Sequence, residues 1–210
     1  AFCVTGKSGF SRNLTPEEMS LQIEKIQNSE NIKITCVVLM GMGEPFDNYE
    51  NVLKFLEYAI DSKGLDIEAK RITISTCGLV DKIYKLAEFN SQFNLAVSLH
   101  ATVDEVRNEL MKINKKWNIS ELLKACKYYT ELTDKSILFE YIMINKLNDS
   151  NEDANRLAKL LEGIKCRVDL IPANDSGQEQ FKPSTQNQIN SFVSILRENG
   201  IDVSVRGTVG

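Results

Sequence analysis

The stretch that most constrains the fold is an apolar run, Thr35–Met40, that stops at Gly41-Met42-Gly43-Glu44-Pro45. A run of about six apolar residues rich in β-branched types is too short for an ordinary helix and is typical of a parallel strand covered on both faces. The glycines leave the backbone open to a ligand, Glu44 offers a carboxylate to an amino group, and Pro45 fixes the turn. The stretch predicts a buried strand that ends in a binding site. A plain strand-to-helix turn is the alternative.

Apolar runs alternate with amphipathic helical stretches along the whole chain. Thr15-Pro16-Glu17-Glu18 predicts a helix start with Thr15 as the N-cap, and further helices are predicted from about residues 48, 80, 120, 151 and 184. The six predicted strands are residues 35–40, 71–76, 93–100, 137–144, 166–171 and 201–205. Strands separated by helices indicate right-handed parallel βα units, so we expect an α/β fold.

The composition suits one domain of 210 residues with a substantial core, since 42% of the residues are hydrophobic and 26% are charged. No stretch approaches the roughly 18 apolar residues of a membrane helix, and we expect a cytoplasmic protein. The net charge of -4 argues against indiscriminate binding to nucleic acid but is compatible with a local basic patch. Four of the five cysteines are interpreted as buried thiols, because they lie inside apolar runs rather than at disulfide-like spacings.

Polar residues collect after the carboxyl ends of successive predicted strands. They are Gly43 and Glu44, Ser75 and Thr76, Ser98 and His100, Asn145 and Asn148, and Asn174 and Asp175. In parallel barrels and open α/β sheets this edge carries the ligand. His100 is interpreted as a ligand-contacting residue rather than a catalytic base, and a hydrogen bond to the backbone is the alternative.

The opening Ala1–Ser8 nearly matches the phosphate-binding G-x-x-x-x-G-K-[ST] loop, with Ala1 in place of the first glycine. The context does not fit that motif. No strand precedes the loop within the chain, the first helix begins only after Thr15, and no later strand ends in the aspartate that would hold magnesium.

A second set of short motifs fits the chain better. They are Phe2–Gly6, Gly9–Thr15, Met40–Pro45, Ile74–Thr76, Ser98–Ala101, Leu110–Asn114, Phe139–Tyr141, Asn148–Ser150 and Leu170–Pro172. In this order they resemble the radical S-adenosylmethionine enzymes that methylate carbon 2 of adenine in ribosomal and transfer RNA. The resemblance spans essentially the whole chain. It implies a partial, TIM-like (βα) barrel, chemistry through a 5′-deoxyadenosyl radical, and a methylated cysteine as an intermediate.

The same resemblance implies two cofactors, a 4Fe–4S cluster and S-adenosylmethionine. Such a cluster needs three thiolates and one open iron, and Cys3 matches the third cysteine of the family's C-x-x-x-C-x-x-C motif. Gly43 and Glu44 match the segment that binds the methionine amino group. The other residues that match S-adenosylmethionine contacts are Ser75, Ser98, Leu99, His100 and Asn174.

The chain also departs from the family pattern. The methyl-carrying cysteine near the C-terminus and the resolving cysteine upstream of the cluster motif have no counterpart, so we predict no catalytic residue in residues 1–210. The chain is interpreted as a fragment of the radical SAM core domain, without the first strand, the N-terminal RNA-recognition region and the C-terminal tail, and inactive alone. Asn174-Asp175 replaces the more usual Asn-Pro. Three cysteines, Cys77, Cys126 and Cys166, are interpreted as core residues.

The resemblance implies 23S rRNA and tRNA as substrates, an electron donor such as flavodoxin or ferredoxin, no membrane, and a monomer. The basic residues Arg107, Lys112, Lys115 and Lys116 are predicted to meet RNA phosphates, and a solvated charged face is the alternative. A sister family that methylates carbon 8 of the ribosomal adenine remains an alternative, although Pro45 and Pro172 favour carbon 2. A non-catalytic truncated barrel is the other alternative.

Overall fold

The computed structural model describes residues 9–89, 92–174 and 181–207. In these ranges the strands are β1 (Val37–Leu39), β2 (Ile72–Thr76), β3 (Asn94–Ser98), β4 (Ile137–Met143), β5 (Cys166–Pro172) and β6 (Asp202–Val205). The helices are α1 (Pro16–Glu30), α2 (Tyr49–Ile60), α3 (Val80–Glu88), α4 (Asp104–Leu110), α5 (Ile119–Thr133), α6 (Asn151–Leu160) and α7 (Gln186–Glu198). All six predicted strands and six of these helices therefore correspond to sequence predictions, while α4 was not predicted.

The strands follow one another in sequence order in a six-stranded sheet, and β1 pairs with β2, β4 with β5, and β5 with β6 in parallel. Within the described residues, this strand order begins with β1 and ends with β6. Helices connect the parallel strands, as βα units require. The predicted α/β class is confirmed, and the unclosed sheet agrees with the predicted partial barrel.

The chain divides into two compact units. Of the described residues, the first unit comprises 9–76 and 92–95, and contains α1, α2, β1, β2 and the start of β3. The second unit comprises 77–89, 96–174 and 181–207, and contains the rest of β3 and the later helices and strands.

Helix α1 in the first unit begins as the sequence predicts. Thr15 Oγ1 accepts a hydrogen bond from the Glu18 N–H at 3.3 Å, and the Thr15 N–H donates to Glu18 Oε2 at 2.9 Å. This reciprocal capping box satisfies two N–H groups that the helix cannot pair internally. Hydrogen bonds from Arg12 to both carboxylate oxygens, together with the Thr15 N–H, lower the pKa of Glu18 to about 2.

Strand β1 differs from the prediction of a buried strand. It spans only three residues, none of them buried, and Val38 is 49% exposed. Strand β1 is an edge strand of the sheet and pairs only with β2 in the described part of the chain. The apolar run was interpreted as if both faces were covered, and sequence alone does not distinguish an edge strand from a central one.

The core of the second unit lies around β4, in which all seven residues are buried. On β5, Val168 and Leu170 are fully buried and alternate with more exposed residues. Helix α7 contributes Phe192, whose ring centroid lies 5.4 Å from that of Tyr141. Burial of these side chains supplies the main favourable term for this unit.

The cysteines in the described residues correct a prediction. Only Cys126 is buried, Cys77 and Cys166 are partly exposed, and Cys36 is exposed just before the edge strand β1. The expectation of four buried thiols was therefore wrong, because apolar neighbours in sequence do not ensure burial before an edge strand (Cys36), after a strand end (Cys77) or at a strand start (Cys166). In the described ranges, no helix has the length and apolar character needed to cross a membrane.

Candidate functional site

The turn after β1, in the first unit, combines an open backbone with a carboxylate. Gly43 has a φ of +100°, a backbone conformation that residues with a side chain rarely adopt. A Cβ at Gly41 or Gly43 would meet no atom within 4 Å. Glu44 Oε1 accepts a hydrogen bond from the Phe46 N–H at 3.0 Å and so caps the 3₁₀ turn Pro45–Asn48. The turn therefore needs a glycine at 43 and leaves space over the backbone beside a partly buried carboxylate.

Ser75 lies near the carboxyl end of β2 in the same unit. Residues Ile72, Ile74 and Thr76 of this strand are buried on one face, and Ser75 is half-buried on the other. The parallel register places Leu39 opposite Ile74, so β1 and β2 end at one edge. The structure thus brings the Gly43-Glu44 turn and Ser75 to the same edge of the first unit.

Ser98, Leu99 and His100 lie in the second unit, where β3 ends. Ser98 Oγ donates to Glu140 Oε2 at 3.3 Å, and the Leu99 and His100 N–H groups donate to the Glu140 carbonyl oxygen at 3.0 and 3.3 Å. Leu99 is 0% exposed and His100 is 5% exposed. Leu99 therefore exposes neither its side chain nor its backbone, while Ser98 is partly exposed.

The imidazole of His100 is hydrogen-bonded to the backbone. His100 has a φ of +61°, and its Nδ1 accepts from the Ile142 N–H at 3.1 Å. Burial, assisted by the charge of Arg107, lowers the pKa of His100 to about 3. The ring is neutral near pH 7 with its proton on Nε2, because Nδ1 acts as an acceptor. The backbone hydrogen bond that was the alternative for this residue is present.

Asn148 and Asn174 have different environments. Asn148 is 1% exposed, donates from Nδ2 to the carbonyl oxygens of His100 and Ile142, and accepts from the Ile144 N–H at Oδ1. It is a structural residue of the strand ends. Asn174 is exposed shortly after β5, and Asp175 lies outside the described residues.

A polar row crosses β3 to β6 in the second unit and was missed by the sequence reasoning. Glu140, Asp169 and Ser204 occupy matching positions on β4, β5 and β6, and Ser98 hydrogen-bonds to Glu140. Arg206 Nη2 lies 3.1 Å from Glu140 Oε1, and Arg206 Nε lies 3.0 Å from Asp169 Oδ2. Ser204 Oγ donates a hydrogen bond to Asp169 Oδ1. The signal in the sequence was a single carboxylate inside each of two apolar strands, which predicts a paired charge.

The predicted cluster ligand, Cys3, lies outside the described residues. Within the described ranges, no three His, Cys, Asp or Glu side chains are grouped so that they could hold a metal ion. Burial raises the pKa of the Cys126 thiol, and it raises the pKa of Cys166 to about 11. Thiols that resist ionisation are poor iron ligands. Cys126, which is buried, fits the predicted role as a core residue, whereas Cys77 and Cys166 are partly exposed.

The predicted RNA-facing group separates into two kinds of residue. Arg107 lies on α4 with an exposed fraction of 0%, so its inclusion in an RNA-binding surface was wrong. Lys112, Lys115 and Lys116 are exposed, and the Lys116 ammonium lies 3.9 Å from the ring centroid of Trp117. Only the three lysines are available to a partner.

Comparisons with known proteins address the family of the chain. A curated relative from Clostridium botulinum strain Eklund 17B, named probable dual-specificity RNA methyltransferase RlmN, is 48% identical over the whole chain and 60% of its own length. A relative of the same name from Caldicellulosiruptor saccharolyticus is 46% identical over the whole chain and 61% of its length. The chain thus spans about 60% of the length of these relatives.

Two solved structures are similar to the chain in fold. A radical SAM methyltransferase from Sphaerobacter thermophilus matches the whole chain and 62% of its own length, with a TM-score of 0.94 and 41% identity. Streptococcus suis SuiB, in a structure bound to S-adenosylmethionine, matches 94% of the chain and 45% of its own length with a TM-score of 0.68. Its 20% identity shows a shared fold alone.

The family model for the Radical SAM superfamily matches residues 1–160, including the opening that resembles a phosphate-binding loop. This match covers more than half of the chain and leaves the interpretation of that opening as a phosphate-binding loop without support. The resemblance to radical S-adenosylmethionine enzymes is confirmed, and the chain belongs to the Radical SAM superfamily.

Proposed function

We propose that the chain is the core portion of an enzyme that methylates carbon 2 of a specific adenine in 23S rRNA and in tRNA. The observation that carries the proposal is the 48% identity, over the whole chain, to a relative named as a dual-specificity RNA methyltransferase. The name covers a longer protein, so activity, substrates and partners belong to the complete gene product. Residues 1–210 are proposed to be a part of its radical SAM core domain.

S-adenosylmethionine is the proposed cofactor at the strand ends. Gly43 and Glu44 would receive its amino group, because open backbone and a carboxylate suit an ammonium. Ser75, Ser98, Leu99, His100 and Asn174, which match S-adenosylmethionine contacts in the resemblance, are the other proposed contacts. The fit is supported by the open backbone at Gly41 and Gly43, where a Cβ would meet no atom within 4 Å.

Cys3 is proposed to supply one thiolate to a 4Fe–4S cluster. Cluster and S-adenosylmethionine together would supply the radical chemistry needed to functionalise an aromatic carbon. The chain's own residues would bind and orient the cofactor. The methyl-carrying and resolving cysteines of the resemblance are proposed to lie in the remainder of the gene product, so residues 1–210 alone should be inactive.

The setting of the reaction follows from the same proposal. An RNA substrate and a soluble electron donor such as flavodoxin or ferredoxin place the enzyme in the cytoplasm, where it would act as a monomer. The exposed Lys112, Lys115 and Lys116 are the basic residues of the described chain that we propose for contact with RNA phosphates.

Nucleoside analysis tests the proposed reaction. The complete gene product is loaded with iron and sulfide under anaerobic conditions and incubated with a chemical reductant, methyl-labelled S-adenosylmethionine, and rRNA and tRNA from cells that lack the gene. Mass spectrometry of the digested RNA should detect labelled 2-methyladenosine. Labelled 8-methyladenosine would instead assign the protein to the sister family, and unlabelled RNA would support the non-catalytic alternative.

A further inference from the structure

The largest fully buried side chain in the described residues belongs to an arginine that the proposed function does not use. Arg107, on the short helix α4, is 0% exposed. Its Nε donates to the Leu99 carbonyl oxygen at 3.0 Å, and its Nη2 donates to those of Ser98 at 3.1 Å and Cys77 at 2.9 Å. Its Nη1 donates to Asn114 Oδ1 at 2.9 Å. All four acceptors are neutral carbonyl oxygens.

A buried cation of this kind is costly for the fold. Removing a guanidinium from water is unfavourable unless hydrogen bonds replace those of the solvent, and a packed apolar side chain would fill the same volume more cheaply. Burial lowers the pKa of Arg107 to about 10, so the side chain stays charged near neutral pH. Its presence therefore needs a reason beyond filling space.

The backbone hydrogen bonds of Arg107 converge on two segments of the second unit, at Cys77 and at Ser98 and Leu99. Buried backbone carbonyl groups need hydrogen-bond donors. The guanidinium supplies donors in one rigid plane to three backbone carbonyls from two separate segments. The turn after β2 leaves room for it, because a Cβ on Gly78 would lie 3.2 Å from Arg107 Nη2.

The peptide groups on either side of Leu99 are thus held at both ends. Arg107 binds the carbonyl oxygens of Ser98 and Leu99, while the N–H groups of Leu99 and His100 donate to the Glu140 carbonyl oxygen. Asn148 holds the next carbonyl, that of His100. These hydrogen bonds restrict most backbone torsions of the segment. The positive φ of His100 is one of the torsions that they hold.

We propose that Arg107 is a positioning residue that fixes the Ser98–His100 backbone in the conformation that receives S-adenosylmethionine. The inference rests on the proposed function for the identity of the ligand. Arg107 is not one of the proposed cofactor contacts, and it would act through the backbone of residues 98–100. Preorganisation of this kind strengthens binding, because the cofactor does not have to order the segment itself.

Hydrogen exchange of the complete gene product, without cluster or cofactor, tests the positioning directly. Arg107→Lys keeps the charge but cannot reach all four oxygens, so the amides of Leu99 and His100 should exchange at least tenfold faster. Leu196→Ala is the matched control, because Leu196 is fully buried in α7 and its truncation destabilises the protein elsewhere. In Leu196→Ala, the ratio of the exchange rates of these two amides to those of the rest of the chain should be the same as in the parent protein.

Cofactor affinity is the second readout, measured on the cluster-loaded protein with S-adenosylmethionine at a temperature where each variant is folded. Arg107→Lys should weaken binding about tenfold, and Leu196→Ala should not change it. If Arg107→Lys fails to fold, Asn114→Ala, which removes one of the four acceptors, replaces it. This variant should also show faster exchange at Leu99 and His100 and weaker S-adenosylmethionine binding, both by smaller factors.

Uniformly faster exchange throughout the chain, with unchanged affinity, would overturn the proposal and leave Arg107 a purely structural residue. Normal exchange at Leu99 and His100 would overturn it as well. Failure of the parent protein to bind S-adenosylmethionine would contradict the proposed function, whereas the exchange measurement would still decide whether Arg107 orders the segment.

Discussion

The side-chain amide of Asn148 donates a hydrogen bond to the carbonyl oxygen of His100 at 2.8 Å, across 48 residues of sequence. The same amide nitrogen donates to the carbonyl oxygen of Ile142 at 2.7 Å. One buried amide therefore joins the segment after β3 to the end of β4. A carboxylate in its place would face two carbonyl oxygens that it cannot bind.

Asn148→Asp should lower the free energy of unfolding by about 3 kcal/mol at pH 7, because it removes two buried donors and adds a buried charge. Part of the loss should be recovered near pH 4, where the carboxyl group can carry a proton and donate again. Denaturant unfolding at the two pH values measures both effects. Asn155→Asp, on the exposed face of α6, is the control and should cost about 0.5 kcal/mol or less. Equal losses at the two sites would show that the Asn148 hydrogen bonds contribute little.

His100→Asn should weaken the acid sensitivity of the fold. The pKa of His100 is about 3 in the folded protein, against about 6.5 when unfolded, so the unfolded state binds more protons between these values. The stability contributed by the neutral imidazole is complete above about pH 6.5 and is lost as the pH falls towards 3. Within this window the group contributes a slope of up to about 1.4 kcal/mol per pH unit.

Asparagine at position 100 tolerates the positive φ and offers Oδ1 as an acceptor for the Ile142 N–H, but it does not titrate. Unfolding free energies measured between pH 5 and 6.5 should fall less steeply in His100→Asn than in the parent. The chain has one histidine, so no second imidazole contributes to the difference. An unchanged slope would mean that His100 titrates normally in the folded protein.

Glu44→Ala should weaken S-adenosylmethionine binding by about 1.5 to 3 kcal/mol, the scale of a hydrogen bond to a charged group. Glu44 also caps the 3₁₀ turn, so thermal unfolding must confirm that the variant is folded at the temperature used. Calorimetry on the cluster-loaded gene product measures the affinity. Glu50→Ala, on the exposed side of α2, is the matched control and should bind as the parent does. The same affinity in both variants would place the cofactor away from the Gly43-Glu44 turn.

Lys115→Glu combined with Lys116→Glu should weaken RNA binding at low salt and reduce the salt slope by about one to two counterions. Phosphate contacts release counterions, whereas a solvated patch does not. A pair of substitutions on α5, Lys124→Glu with Lys127→Glu, makes the same change in net charge on another exposed surface. Identical salt slopes for the two double variants would assign Lys115 and Lys116 to ordinary solvation.

Much of the fold was predictable because its signals are local. The capping box of Thr15 and Glu18 is contained in four residues, and the strands are short apolar runs with helices between them. The Gly43-Glu44 turn could also be recognised locally. The short, charged helix α4 could not be predicted, because seven residues show too little hydrophobic periodicity to identify a helix.

The burial of Arg107 could not be predicted for a different reason. An arginine in a basic stretch is typical of an exposed surface, and the oxygens that bury this one come from Cys77, Ser98 and Leu99. The edge position of β1 is likewise a property of strand pairing and is absent from the run itself. Contacts between distant segments decide both features, and a local pattern does not encode them.

A hydrogen-exchange footprint of S-adenosylmethionine on the cluster-loaded gene product directly tests whether the cofactor binds at the strand ends. The proposed site predicts slower exchange on binding in three segments, residues 41–46, 73–77 and 96–100, and no change in the exposed helix α1. Protection confined to other segments, or none in these three under saturating cofactor, would contradict the placement of S-adenosylmethionine at the strand ends.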